Sequence, residues 1–310
     1  MSSNQIGAKE KNSAAQSSVI AAIALTAFKL ITGLATNSLG ILAEATHSGL
    51  DLVAALVTLM AVRFSSKPAD FEHHYGHGKI ENISALFETL LLLLTCAWIT
   101  YESVQRLFFQ EIEVTASFWA FLVMISSIAI DYTRSKVLYR AARKYNSQAL
   151  EADALHFSTD IWSSSVVILG LIGVVLAGLF PGLAFLKKAD AGAALLVAII
   201  VIYVSLQLGR RTVQGLLDSA PTGFGDRIRQ EVEKIPGIYS CHKVRVRMSG
   251  AECFIDLHVN VGAGQPLKAA HDLTEQVEEA VKRLTPDADV TVHAEPKQRV
   301  VRAPENFHDT

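Results

Sequence analysis

ILAEATHSGLDLVAALVTLMAVR, residues 41–63, is long and apolar enough to cross a bilayer as a helix, yet it carries His47 and Asp51. A helix rising about 1.5 Å per residue needs roughly 20 mostly apolar residues for that crossing. An ionisable side chain near the bilayer centre costs roughly 3 kcal/mol or more, so its presence marks a functional site by default. Four residues apart on a helix, His47 and Asp51 share one face, about 6 Å from each other.

Five further stretches read as spans: 18–37, 83–104, 114–135, 150–179 and 190–208. Composition agrees, because the 310 residues are 50% hydrophobic and only 19% charged, with a mean hydropathy of +0.31, too apolar for an ordinary soluble chain. A net charge of -2 without a dominant basic stripe argues against a nucleic-acid partner. Cys96, Cys241 and Cys253 form no close pair, which leaves them to packing rather than to a disulfide or a thiolate zinc site. Residues 1–17 are polar, and the apolar run after them is too long for a signal-peptide core, so it reads as a retained helix. Between the fifth and sixth spans, GLFPGLAFLKK at 178–188 breaks the pattern with Pro181, Gly182, Lys187 and Lys188, a loop at the surface.

Basic residues orient the bundle. Lys9, Lys11, Arg63, Lys67, Lys79, Arg134, Lys136, Arg140, Arg143, Lys144, Arg210 and Arg211 fall on one side, and Arg106, Lys187 and Lys188 on the other. The imbalance places both termini in the cytoplasm.

From 212 the composition becomes that of a small soluble domain. DRIRQEVEKI reads as an amphipathic helix, HKVRVRMSG and CFIDLHVNV as alternating strands, PLKAAHDLTEQVEEAVKRL as a second helix and ADVTVHAEP as a last strand. The fold class is therefore an α-helical membrane protein, six transmembrane helices followed by a small cytoplasmic α+β domain of order αββαβ, metallochaperone-like. The segments are a cytoplasmic N-terminal stretch 1–17, a six-helix transmembrane domain 18–211, a small cytoplasmic domain 212–296 and a disordered tail 297–310.

HFSTD, residues 156–160, repeats the spacing of the second span with His156 and Asp160. Two imidazoles and two carboxylates from two helices can close a tetrahedral shell around a divalent metal, and that ligand mix favours zinc. Such pairs also serve as interhelical polar contacts or line a wet bundle interior, but the duplication favours metal. Lys29 can snorkel; Glu88 and Asp131 line a water cavity or meet each other or a lysine across helices; Glu44 is a vestibule carboxylate or an interfacial one.

In PADFEHHYGHGKIEN, Asp70, His73, His74 and His77 lie within eight residues. If the stretch is helical, His73 and His77 share a face and with Asp70 make an open metal site, the alternative being an adventitious histidine cluster. Strand alternation puts Ile255, Leu257, Val259 and Val261 on one face and Asp256, His258 and Asn260 on the other, with Val290 and Val292 inward and His293 and Glu295 outward. His242 and His271 are further candidate ligands.

HSGLD, PADFEHHYGHGK, HFSTD, LLDSAP and the αββαβ tail ending in VHAEP resemble the cation diffusion facilitator family, and more closely its bacterial zinc and ferrous-iron efflux pumps. The resemblance covers nearly the whole chain. It implies a homodimer exporting divalent cations in exchange for protons, with His47, Asp51, His156 and Asp160 as transport site and Asp70, His73 and His77 as loop site. It implies a cytoplasmic site drawn from His242, His258, His271, His293 and Glu295, and a salt bridge between Lys79 and Asp218 near the dimer interface. Zn2+ is the implied transported and regulatory ion, without an organic cofactor. Several bacterial members have aspartate where this chain has His47, which resembles the more zinc-selective branch; Glu295 stands where the family has aspartate. The absence of a long histidine-rich loop between the fourth and fifth spans points to a bacterial cytoplasmic membrane. A broader pump for iron, cadmium, cobalt or manganese and a membrane metal sensor are the alternatives, whereas no HExxH or similar motif supports an enzyme.

Overall fold

The computed structural model describes residues 3–37, 39–108, 118–179, 186–286 and 288–297. The chain divides after Leu217 into two compact units. The first holds α1 (Ser3–Thr36), α2 (Leu39–Ser65), α3 (Lys79–Phe108), α4 (Phe118–Tyr145), α5 (Gln148–Leu179) and α6 (Leu186–Leu216). The second holds α7 (Phe224–Val232), β1 (Ser240–Ser249), β2 (Glu252–Val261), α8 (Leu267–Leu284) and β3 (Asp289–Pro296).

The six long helices run 27 to 34 residues, which at 1.5 Å per residue is about 40–50 Å, more than the roughly 30 Å of a hydrocarbon core. They therefore overrun the apolar windows read from sequence. Most of the polar stretch 1–17 is helical: α1 starts at Ser3, and no proline interrupts it. Its early turns bury Ala14 and Ala15 and carry Lys11 to Glu81 of α3 at 2.7 Å. At the other end of α4, Asn146 adopts a left-handed conformation (φ 48), and the Ser147 amide bonds back to the Ala142 carbonyl. Ser147 then caps α5, accepting the Leu150 amide at 3.4 Å while its hydroxyl donates to Glu81.

Within this unit α3 packs on α6, α1 on α2 and α4 on α5. Small residues let the helices approach: Ala15, Ala55, Ala142, Ala149 and Ala154 are buried beside Leu138, Leu150 and Phe157. Large apolar side chains point outward, Leu94 68% and Ile31 67% exposed, while Asp51, Glu88, Asp131, Arg134, Asp153 and His156 are buried. That inversion is what a bilayer selects, since lipid solvates leucine but not carboxylates. Four of the described helices, α1, α2, α3 and α6, carry windows long and apolar enough to cross a membrane by themselves.

Some expectations fall elsewhere. Residues 109–117, where the fourth span was expected to begin, lie outside the described residues, as do Pro181 and Gly182 of the expected surface loop and the tail from 298. Lys187 and Lys188 belong to the first turn of α6. Arg134, read as a basic residue at the membrane edge, is buried within the bundle at 5% exposure.

In the second unit the sheet order is β1-β2-β3, with β1 antiparallel and β3 parallel to β2. The parallel pair requires a crossover, which α8 provides. Ile255, Leu257, Val259 and Val290 pack against Ile228 and Val232 of α7 and Val277 and Val281 of α8. The helices thus cover one face of the sheet, and the alternate residues occupy the other.

Candidate metal centres

The fold of α2 and α5 interleaves the two histidine-aspartate pairs. His156 Nε2 lies 3.1 Å from Asp51 Oδ1 and 3.7 Å from Asp160 Oδ2. His47 Nε2 lies 3.9 Å from Asp51 Oδ1 and 3.8 Å from Asp160 Oδ1. Each imidazole nitrogen therefore faces both carboxylates. A tetrahedral zinc with bonds near 2.0–2.2 Å has ligand atoms about 3.3–3.5 Å apart, and these separations bracket that value. His156 and Asp51 are buried, whereas the His47 side chain is 41% exposed and is the open side of the set.

A second shell of polar contacts surrounds the four. Thr26 Oγ1 of α1 donates to the Ser48 carbonyl at 2.9 Å, which ties α1 to the turn carrying His47. On α5, Ser158 Oγ and Ser135 Oγ of α4 share a hydrogen bond of 2.8 Å. Arg134 binds Asp131 at 3.3 Å and Ser18 at 3.1 Å, and its guanidinium lies 3.4 Å from the Phe157 ring centre.

Three sequence expectations for neighbouring charges change. Lys29 is buried and bonds Glu44 at 3.2 Å, a carboxylate that the α1-α2 hairpin brings beside it. Glu88 accepts from the Thr58 hydroxyl rather than meeting a lysine. Asp131 meets Arg134 one turn along its own helix. Arg134, Asp153, Ser18 and Thr58 were missed as members of the interior; the Asp131-Arg134 spacing of three, and Asp153 three before His156, were the available signals.

The loop residues converge without a helix. Asp70 Oδ1 is 3.2 Å from His73 Nδ1, Asp70 Oδ2 is 3.3 Å from His77 Nε2, and the two imidazole centres are 4.3 Å apart. A turn does this work: the Gly76 amide bonds to the His73 carbonyl at 3.0 Å, with Gly76 at φ 71, where a side chain would be strained. The backbone amide of His73, followed by that of Glu72, holds the Asp70 carboxyl below its ordinary pKa. His74 instead faces the Phe71 carbonyl at 3.0 Å.

On the open face of the sheet, His242, His258 and His293 stand side by side, paired in register across the three strands. Glu295 reaches His258 Nδ1 at 2.7 Å and His242 Nε2 at 3.3 Å, and the His293 ring centre is 4.7 Å from that of His258. The His258 hydrogen bond, followed by the charges of His242 and Lys243, lowers the pKa of the Glu295 carboxyl. His271 does not join them in this chain. It sits on α8, which covers the opposite face, and pairs with Glu275 at 3.4 Å.

Among the described residues, three groups of donors have metal-ligand spacing: His47, Asp51 and Asp160; Asp70, His73 and His77; and His242, His258 and Glu295. His156 Nε2 lies against both carboxylates of the first group, at 3.1 and 3.7 Å. Lys79 Nζ donates to the Leu216 carbonyl at 3.4 Å, two residues before Asp218, which has a left-handed backbone at φ 57.

A helical bundle with ionisable donors inside and leucines outside, followed by a small α+β domain, is the architecture of a membrane protein that carries candidate metal ligands in its interior. Residues 15–217 match the cation efflux transmembrane domain, and 222–297 match the cation efflux protein cytoplasmic domain. The chain is 32% identical over 314 residues to the cation-efflux pump FieF of Klebsiella pneumoniae, covering 99% of both chains. It is 34% identical over 289 residues to FieF of Serratia proteamaculans, covering 92% of each. The metal-bound C-terminal domain of the CzcD transporter from Thermotoga maritima is 33% identical over 24% of this chain and 88% of that one, with a TM-score of 0.23. The chain belongs to the cation diffusion facilitator family, and it is a cation-efflux transporter integral to a membrane.

Proposed function

We propose that this transporter exports Zn2+ from the cytoplasm in exchange for protons, by alternating access, as a homodimer. Its membrane would be the cytoplasmic membrane of a bacterium, with both termini inside. The observation that carries the ion assignment is the interleaved set of His47, Asp51, His156 and Asp160, in which each imidazole nitrogen lies within 4 Å of both carboxylates. Two carboxylates balance a dication's charge where little water can. Two imidazoles give the borderline-soft donors that suit zinc better than calcium or magnesium.

All four ligands bind metal only when deprotonated, so protons and zinc compete for the same lone pairs. Imidazole, with an ordinary pKa of about 6.5, makes that competition effective near neutral pH. The donors of the C-terminal domain sense cytoplasmic zinc and draw two copies together, and Lys79 pairs with Asp218 near the interface between copies. Replacing His258 and His293 with alanine is expected to lower the apparent zinc affinity of transport by about tenfold or more while leaving the maximal rate largely intact, measured as uptake into inverted vesicles. Complete loss of transport in folded protein would contradict the regulatory role.

Ion competition in inverted vesicles tests the reading. Zinc should outcompete ferrous iron, cadmium, cobalt and manganese for wild type, and His47→Asp should narrow that preference by about tenfold, since an added oxygen ligand favours harder ions. Equal competition by all five ions would instead mark a broad-range pump, and binding without flux would mark a sensor.

A further inference from the structure

Glu88 and Asp153 are ionisable side chains that the transport site does not use, and both are buried, at 1% and 0% exposure. Glu88 comes from α3 and Asp153 from α5. Thr58 of α2 donates to Glu88 Oε1, and Ser18 of α1 donates to Asp153 Oδ2 at 3.2 Å. Each carboxylate keeps one oxygen, Glu88 Oε2 and Asp153 Oδ1, with no hydrogen-bond partner among the described residues. The same is true of Nδ1 of His156, on the ring edge away from the nitrogen that faces Asp51 and Asp160. Glu88 interacts electrostatically with both Asp153 and His156. Three unpartnered polar atoms on buried side chains of α3 and α5 are unusual, because each such atom costs about 1–3 kcal/mol and charged ones more.

Their position along the helices is informative. Thr58 lies seven residues from Asp51 on α2, about 10 Å along the axis, and Asp153 lies three residues from His156 on α5, about 4.5 Å. Both displacements run toward the same end of the bundle, where α2 finishes and α5 begins. In the orientation proposed above, that end faces the cytoplasm.

We propose that Glu88 and Asp153, with the Thr58 hydroxyl, form a second intramembrane station for the transported divalent cation, one to two turns on the cytoplasmic side of the four-ligand site. The assignment rests on the zinc-export reading. Its two carboxylates offset the dication's charge, and the Thr58 hydroxyl adds a neutral oxygen. Oxygen donors hold zinc less tightly than the imidazoles do, so the station accepts the ion from water and yields it inward. Arg134, bound to the same Ser18, weakens cation binding further and keeps the station transient.

Zinc binding to the full chain in lipid nanodiscs tests this by equilibrium dialysis, with Asp70→Ala, His77→Ala and His258→Ala removing the sites outside the bundle. Two zinc ions per chain should then bind, the second at least about tenfold more weakly. Adding Asp51→Asn and Asp160→Asn should leave only the weak ion. Glu88→Gln, which keeps the Thr58 hydrogen bond and so preserves folding, should remove the weak ion alone and slow transport at low zinc about tenfold. A single tight zinc in that background overturns the station but not zinc export, whereas no zinc in the bundle overturns both. If Glu88→Gln retains both ions and alters only proton release, the carboxylate carries protons and the station is likewise overturned.

Discussion

Asp51→Ala should abolish metal-driven flux while leaving the protein folded. Asp51 Oδ1 is the acceptor nearest to His156 Nε2, at 3.1 Å, and it also faces His47 at 3.9 Å. Removing it takes one donor and one negative charge from a buried dication site, and truncating one member of a buried charged set costs about 3–5 kcal/mol, about two to four orders of magnitude in binding. Ion competition cannot recover such a loss at micromolar metal. Zinc flux into inverted vesicles, read beside a size-exclusion profile of the same preparation, measures it; flux within about threefold of wild type would remove Asp51 from the site.

A second large effect concerns folding rather than ions. Arg134→Met should destabilise the metal-free protein by about 3–5 kcal/mol, because it strands buried partners. The guanidinium bonds Asp131 at 3.3 Å and Ser18 at 3.1 Å, lies 3.4 Å from the Phe157 ring centre, and interacts electrostatically with Asp153. Methionine fills much of the volume but leaves Asp131 without its cation in a low-dielectric interior. The pairing with Asp131 decides the size of the effect, so Arg134→Met with Asp131→Leu should recover much of the loss, as well-packed apolar replacements of buried ion pairs do. Thermal unfolding in detergent checks this, and a cost under about 1 kcal/mol for Arg134→Met would mean the network is wetter than its burial implies.

The parts legible in sequence were those with a repeating period. The i,i+4 spacing of His47 and Asp51, and of His156 and Asp160, needed only a helix to become geometry, and hydropathy supplied the helices. The faces of β2 and β3 followed from alternation. His242 did not: along an unbroken strand it shares parity with Val246, which faces the core. A bulge between His242 and Arg245, with Lys243 at φ 49, inserts one extra residue and turns His242 to the open face beside His258. The loop donors converge although the chain does not follow the helical premise on which they were read, since the Gly76 turn brings His73 and His77 together instead.

Arg134 was misread for a related reason. Counting basic residues treats every cation near a span's end as solvated, and the expected fourth span ended at 135, whereas α4 continues to Tyr145. Only the neighbouring helices determine which way Arg134 points, and a single sequence does not contain that information. His271 lies apart from His242, His258 and Glu295 within one chain, because its helix covers the other face of the sheet.

Proteoliposomes loaded with a pH-sensitive dye and a zinc-sensitive dye test the central claim, that two helices each lend an imidazole and a carboxylate to one dication which protons displace. An imposed zinc gradient should drive proton movement in the opposite direction in wild type, and an imposed proton gradient should drive zinc. Both fluxes should vanish together when His47, Asp51, His156 and Asp160 are all replaced by alanine. Zinc accumulation against its gradient by that quadruple variant, or zinc flux in wild type with no accompanying proton flux, would contradict it.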